Sequence, residues 1–335
     1  MARVTLGLGV SHGPMLSTPP EQWDGRVAAD RQNPDHAFRG GSYTFDELVE
    51  LRSGEHLSAQ IVLTERVTRH AACQRAIEAL AARLDRSRPD ILVLVGNDQR
   101  EIFTPEFTPT FSIFCGETIR NPALSEEHLA TLRPGLAVAH WANSPDEDAA
   151  YPGAPDLGRH VIGSVTREAF DVAAMSALPE GPRGRSLPHA FGFLYRRIMQ
   201  DRPIPAVLVV QNTFFPPNQP SAGRCFELGR AIGRAIASWP SDRRVGIIAS
   251  GGLSHFVIDE EFDRQAIAAM QAKDKAALER IPADRFRSGT SETKNWITAV
   301  GALAGTGLEM TLLDYVPCYR SEAGTGNAMA FATWD

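Results

Sequence analysis

Residues 91–99 read Ile-Leu-Val-Leu-Val-Gly-Asn-Asp-Gln, an unbroken apolar run that ends in a polar turn. A run of this kind is typical of a strand that is buried on both faces of a sheet. Residues 4–10 form a second short run, which ends at Ser11-His12-Gly13-Pro14. Because ligands of open α/β sheets bind beyond the carboxyl ends of the strands, the two turns are expected to lie side by side.

Helical patterns alternate with the strands along the chain. Apolar residues recur at helical spacing over 59–84. Further strands are predicted at 110–114, 206–211 and 245–250, and further helices at 157–169, 190–200, 223–238, 263–271 and 292–303. The alternation predicts an α/β fold, in which one large domain over residues 1–335 has a central, mostly parallel or mixed sheet flanked by helices. Residues 17–58, rich in Pro, Asp, Arg and Gly with little periodicity, are interpreted as an excursion packed over the site.

Composition restricts the classes of partner. The chain has 335 residues, of which 43% are hydrophobic, and a formal net charge of −6 without a block of Lys or Arg. These features argue against nucleic acid or an anionic membrane surface as the main partner and favour a small-molecule substrate. No apolar segment reaches membrane-spanning length. The four cysteines are scattered without a CxxC pair, which predicts reduced thiols and a cytoplasmic protein.

Histidines and carboxylates next to glycine turns suggest a metal site. Iron(II) that binds both a substrate and dioxygen is typically held by two imidazoles and one carboxylate. His12 and an acid of the segment 259–261 are candidate ligands, and His255 is a candidate ligand or a group just outside the ligand sphere. His189, after Pro188 at a predicted helix start, is a candidate acid/base because the pKa of histidine is close to neutral.

Each candidate also has a purely structural interpretation. A histidine in a turn, such as His12, is more often a hydrogen-bonding surface residue than a ligand. His189 is equally compatible with a solvent-exposed helix start. Glu261 fits an ordinary first-turn carboxylate, which the helix dipole favours.

A series of motifs in one order extends over nearly the whole chain. The sequence resembles the class III extradiol ring-cleaving dioxygenases, in particular the catalytic subunit of protocatechuate 4,5-dioxygenase and its gallate and 3-O-methylgallate relatives. The segments that carry the resemblance are Ser11-His12, Asn97-Asp98-Gln99, Pro188-His189, residues 224–229, residues 251–255, Glu261-Phe262-Asp263 and residues 288–292.

The resemblance implies an Fe(2+) enzyme that binds a catecholic substrate through its hydroxyl oxygens and opens the ring with O2. It implies that His12 and Glu261 are iron ligands and that His189 exchanges protons with the substrate. His255 matches a histidine near the metal, which is itself a ligand in a related branch. Thr290 and Ser291 match a turn that would hold a substrate carboxylate.

The same resemblance implies a particular quaternary structure. Protocatechuate enzymes close the site with a separate small subunit, and no matching segment is evident in this chain. A homodimer is therefore expected, with the excursion in the place of that subunit.

Gln99 departs from the pattern, because the protocatechuate branch has a second iron-binding histidine at this position. A carboxamide oxygen is a weaker ligand than an imidazole. Three alternatives are open: Gln99 ligates through its oxygen, His255 or Glu101 completes the sphere, or the protein holds no iron. In the last case the same fold would serve a hydrolase, a lyase or a ligand-binding protein.

Overall fold

The computed structural model describes residues 1–132, 135–182 and 184–335. The predicted single domain over 1–335 includes residues 133, 134 and 183, which lie outside the described residues. The described strands are β1 Arg3–Val10, β2 His36–Phe38, β3 Gly41–Tyr43, β4 Ile91–Asn97, β5 Phe111–Phe114, β6 Thr118–Asn121, β7 Ala149–Pro152, β8 Ala173–Met175, β9 Ala206–Gln211, β10 Arg244–Ser250, β11 His255–Val257, β12 Met310–Tyr319 and β13 Thr325–Trp334.

The helices enclose the strands in the chain order that the sequence predicts. The described α-helices are α1 Val27–Gln32, α2 Phe45–Leu51, α3 Leu63–Ser87, α4 Glu126–Thr131, α5 Pro155–Arg167, α6 His189–Phe193, α7 Ala222–Ser238, α8 Glu260–Gln271, α9 Lys275–Arg280 and α10 Thr293–Leu303. Short 3-10 turns connect several of them, and a π-helical turn at Leu194–Ile198 extends α6.

A mixed sheet forms the centre of the molecule. In the described residues its strand order is β11-β13-β1-β10-β4-β9-β5-β8, and β12 pairs with β13 on the far side. Strands β1, β10, β4 and β9 run parallel to one another, whereas β13 and β5 are antiparallel to their neighbours in this group. The predicted α/β fold with a mostly parallel or mixed sheet is confirmed.

Each central strand contributes to two hydrophobic layers because its side chains alternate between the faces of the sheet. In β4, Val93 and Val95 pack on the face that α7 and α10 cover. Leu92 and Leu94 pack on the opposite face, against α3 and α6. The continuous apolar run of the sequence is thus explained by burial on both sides.

The parallel strands direct their carboxyl ends to one edge of the sheet. The turns that follow β1, β4, β9 and β10 all begin there, as expected for an open α/β sheet. The excursion contains β2, β3, α1 and α2 and is therefore more ordered than its sequence suggests. No helix in the described ranges combines the length and apolarity that crossing a membrane requires.

Candidate metal and substrate site

The turns at the carboxyl edge of the sheet surround a cavity of about 740 Å³. One group of lining side chains consists of His12, Gln99, His189, His255 and Glu292. The structure therefore brings together four of the residues that the sequence nominated. It adds to them a carboxylate from the start of α10.

Glu292 lies at the centre of this group and is 3% exposed. Its Oε1 accepts hydrogen bonds from Asn97 Nδ2 at 3.0 Å and from Gln99 Nε2 at 3.4 Å. Its Oε2 accepts one from the Gly252 backbone N–H at 3.1 Å. His12 Nε2 lies 3.5 Å from Oε2, and His255 Nε2 lies 3.8 Å from Oε1. Two imidazoles thus face one carboxylate.

The tautomer of His12 follows from its hydrogen-bond partners. Ser250 Oγ donates its only hydrogen to the Ala190 carbonyl at 2.5 Å. Ser250 can therefore only accept from His12 Nδ1, which lies 3.0 Å away. In the neutral ring the proton is on Nδ1, so Nε2 presents a lone pair towards Glu292.

His255 is fixed in the same way. Its Nδ1 lies 3.0 Å from the Leu253 carbonyl oxygen, which can only accept. Nε2 of the neutral ring is then unprotonated and faces the cavity. A hydrogen bond from one ring nitrogen to a backbone carbonyl or a similar acceptor is the usual support of a metal-binding histidine.

Burial and charge set the protonation of this centre. Burial by itself raises the pKa of Glu292, but the imidazoles of His12, His255 and His189 outweigh it and hold that pKa at about 2. Burial lowers the pKa of His12 to about 4, against the attraction of Glu292. At neutral pH the centre therefore presents a charged carboxylate and an unprotonated His12.

His189 is paired with Glu101. Its Nδ1 lies 2.8 Å from Glu101 Oε2, and its backbone N–H donates to Oε1 of the same carboxylate at 3.0 Å. Burial by itself lowers the pKa of His189, but Glu101 raises it to about 9 through its charge and hydrogen bond. The ring lies edge-on to His12, with 4.9 Å between centroids. His189 therefore carries a proton at the wall of the cavity.

The turn after β4 is organised by Asp98. This buried carboxylate accepts hydrogen bonds at 3.0–3.1 Å from four consecutive backbone N–H groups, those of residues 100–103. The tight turn explains how Gln99 reaches Glu292 while Glu101, two residues later, reaches His189. In the structure Gln99 acts as a donor to the carboxylate.

The structure does not bring Glu261 to this centre, which corrects the ligand set drawn from the sequence. The Glu261 side chain is 70% exposed and pairs with Arg39 at 3.0 Å. The physical reason is helix geometry: in the first turn of α8, the buried face is occupied by Phe262 and Asp263, so Glu261 points outward. Glu292 occupies the place that was expected for Glu261.

The two residues predicted to bind a substrate carboxylate lie elsewhere. Ser291 is fully buried, and its Oγ donates to Thr213 Oγ1 at 3.4 Å. Thr290 lines a separate, very small pocket beside Arg39. Neither side chain is part of the large cavity wall.

Sequence reasoning did not single out Glu292, although the residue ends the quoted segment 288–292. One signal was available. Glu292 directly precedes α10, a helix whose residues are all buried. A carboxylate at the start of such a helix must itself be buried, and buried carboxylates need partners.

The donor set fits a divalent transition metal. Two imidazoles and one carboxylate are the ligand set of non-haem iron(II) oxygenases. Ligand atoms that share one ion, each at roughly 2.1 Å, lie about 3–4 Å apart. Across the described ranges no group of three or more His, Cys, Asp or Glu side chains is already arranged as a metal site. The Nε2 atoms of His12 and His255 lie 3.5 and 3.8 Å from the Glu292 oxygens, within this range.

A family model matches most of the chain. The family model described as the catalytic LigB subunit of aromatic ring-opening dioxygenase matches residues 56–317, well over half of the chain. The chain belongs to this family.

A curated protein of similar sequence is the gallate dioxygenase of Pseudomonas putida. It is 34% identical over 179 residues, which are 50% of this chain and 51% of that protein. The chain thus matches about half the length of this relative. The resemblance that the sequence motifs indicated is confirmed by the family match.

Proposed function

We propose that this LigB-family protein is an iron(II)-dependent extradiol dioxygenase that uses O2 to open a substituted catechol or gallate-type aromatic acid. The observation that carries the proposal is the pair of imidazole Nε2 atoms, on His12 and His255, that face the buried carboxylate of Glu292. The family match supports ring opening by dioxygen.

Iron bound by His12, His255 and Glu292 would supply open positions for the two hydroxyl oxygens of a catechol and for dioxygen. Ser250 and the Leu253 carbonyl hold the two rings in the required orientation. Gln99, Asn97 and the Gly252 amide hold the carboxylate. In this proposal, His255 provides the second imidazole in place of the histidine that is missing at position 99. Gln99 instead orients Glu292.

His189 is the proposed acid/base. Glu101 keeps its ring protonated and oriented, so that Nε2 can deliver a proton to oxygen during ring opening and take one from a substrate hydroxyl in the next turnover. Its side chain remains 30% exposed within the cavity wall and can therefore reach a bound ligand.

Arg100 is the proposed partner of the substrate carboxylate. Its guanidinium lies 3.9 Å from the ring centroid of Phe215 and donates through Nη1 to Thr108 Oγ1 at 2.5 Å. The described residues give it no ion pair with an acid within 4.0 Å, and it lines the cavity. A stacked guanidinium presents the donors that a carboxylate prefers. Arg320, another lining arginine, is already paired with Asp30.

The test is anaerobic reconstitution. Purified protein is loaded with ferrous iron, mixed with a dihydroxybenzoate or trihydroxybenzoate, and exposed to air. We expect a yellow ring-opened acid with one O2 consumed per substrate. If the protein retains no iron and forms no product, the proposal fails.

The alternative is a hydrolase, lyase or ligand-binding protein of the same fold, which the neutral amide of Gln99 favours. In that case the aromatic acid would bind with equal affinity with and without iron.

The cytoplasm is the proposed compartment, in keeping with four free cysteines. The homodimer stays a prediction.

A further inference from the structure

Asn327 lines the same cavity and has no role in the site described above. It belongs to β13 and is the direct cross-strand neighbour of His255 in β11. Cross-strand neighbours project to the same face of a sheet. Met329, two residues further along β13, lines the cavity as well. The Asn327 amide therefore lies beside the proposed metal centre.

Gly13, near the start of the chain, lies against the same amide. A Cβ at position 13 would lie only 2.9 Å from Asn327 Nδ2, so the glycine after His12 allows this close approach. The amide is thus held between Gly13 and His255, next to the two histidines that face Glu292.

The Asn327 amide has no hydrogen-bond partner among the described residues. The residue is 5% exposed, and its Oδ1 is a buried atom with no partner among the described residues. Its Nδ2 makes no hydrogen bond there either. An unpaired buried polar group destabilises the folded state, and a native structure retains one mainly where it serves a function. By contrast, His12, Gln99 and Arg100 in the same wall all have partners.

We propose that Asn327 is a specificity-determining residue that binds a ring hydroxyl of the substrate. This inference rests on the proposed function. If the metal takes two adjacent hydroxyls, the amide beside it would bind a third one, which favours an aromatic acid with three adjacent hydroxyl groups. A hydroxyl both donates and accepts, so it satisfies either end of the amide.

Asn327→Leu tests this proposal, because leucine has the same branched shape and no polar atom. Binding of a trihydroxybenzoate and of a dihydroxybenzoate is measured by calorimetry on the iron-loaded protein without oxygen. We expect wild type to prefer the trihydroxy acid. The variant should bind that acid roughly 3–10-fold more weakly and bind the dihydroxy acid unchanged.

Thermal unfolding without ligand is a second measurement, in which the variant should gain stability although it loses affinity for the ligand. Removal of an unpaired amide should raise the melting temperature of Asn327→Leu by about 2 °C. The matched control is Asn212→Leu. That buried amide has three hydrogen bonds, to Phe215 and Asn218, so its loss should lower the melting temperature.

The proposal is overturned if Asn327→Leu keeps the full preference for the trihydroxy acid, or if its melting temperature falls as that of the control does. Asn327→Ala, which adds no bulk beside Gly13, provides the same binding comparison if the leucine variant does not fold. Ring opening without any effect of Asn327 rejects this inference alone. Selective binding without ring opening rejects the proposed function alone.

Discussion

Glu292 and Asp263 are both buried carboxylates at the same end of the molecule, yet their pKa values are shifted in opposite directions. Three imidazoles lower the pKa of Glu292 to about 2 despite its burial. Burial raises the pKa of Asp263 to about 7, although hydrogen bonds from Ser254 and Tyr315 oppose the rise. Equal burial thus gives a charged group in one place and a readily protonated group in the other.

The difference shows that the groups that face a buried carboxylate, more than its burial, determine whether it is ionised. Asp263 is enclosed by the Ser254 amide and hydroxyl and by the Tyr315 hydroxyl, at 2.6–2.8 Å. It fixes the turn that carries His255 and does not line the cavity. Glu292 faces imidazoles across a cavity. Only the second arrangement concentrates charge where a ligand can enter.

The largest effect is expected when Glu292 is changed. Glu292→Gln keeps the shape of the side chain but removes the negative charge that faces His12 and His255. We expect iron affinity to fall more than about 100-fold, beyond the usual effect of groups that only support a ligand. Metal analysis after anaerobic loading and desalting measures it. Full iron retention would contradict the role of Glu292.

His189→Ala should affect catalysis and spare the metal. Loss of a positioned acid/base slows turnover roughly 100- to 10,000-fold. Glu101→Gln should have a smaller effect of about 10-fold, since it removes only the charge that supports the ring. Oxygen uptake and iron content are measured for each variant. Equal iron loss in His189→Ala and Glu292→Gln would undo the separation of roles.

Asp263→Asn tests the second carboxylate through the pH dependence of stability. The pKa of Asp263 in the folded protein, about 7, lies above the ordinary value of 3.8. The contribution of this group to the free energy of unfolding is therefore lost as pH rises from about 4 to 7. The asparagine variant lacks that loss. The free energy of unfolding of the wild type minus that of the variant should therefore fall between pH 4.5 and 8, by on the order of a few kcal/mol. Urea denaturation at both pH values measures it, and a constant difference would refute the assignment.

Glu261→Ala should have the smallest effect. The side chain is 70% exposed, and its pair with Arg39 lies at the surface. Exposed pairs contribute roughly 0–1 kcal/mol. Iron content and turnover should match those of wild type, so this variant is the control for Glu292→Gln. Loss of iron would restore Glu261 as a ligand.

The sequence was most informative where side-chain patterns were strong. The strand at 206–211 was predicted to the residue, and β1, β4, β5 and β10 to within one or two residues. The hairpin of β12 and β13 was missed. Strand β13 is entirely buried but rich in Gly, Ala and Thr, so it shows neither an alternating pattern nor the large branched residues that mark a strand.

Prediction of the site divided along the same line. His12, His189, His255 and Gln99 follow strands or begin a helix at the predicted edge, and the structure brings them together. The carboxylate proposed as a ligand could not be chosen by motif alone, because Glu261 and Glu292 both begin helices. Their different burial depends on how α8 and α10 are rotated against the sheet. That rotation is a property of tertiary packing.

The most direct test is a crystal loaded with ferrous iron without oxygen, in which anomalous scattering locates the metal. The account predicts one ion within bonding distance of His12 Nε2, His255 Nε2 and the Glu292 carboxylate. An ion held elsewhere, or a fully loaded crystal in which Glu292 keeps only its hydrogen bonds to Asn97, Gln99 and Gly252, would contradict it.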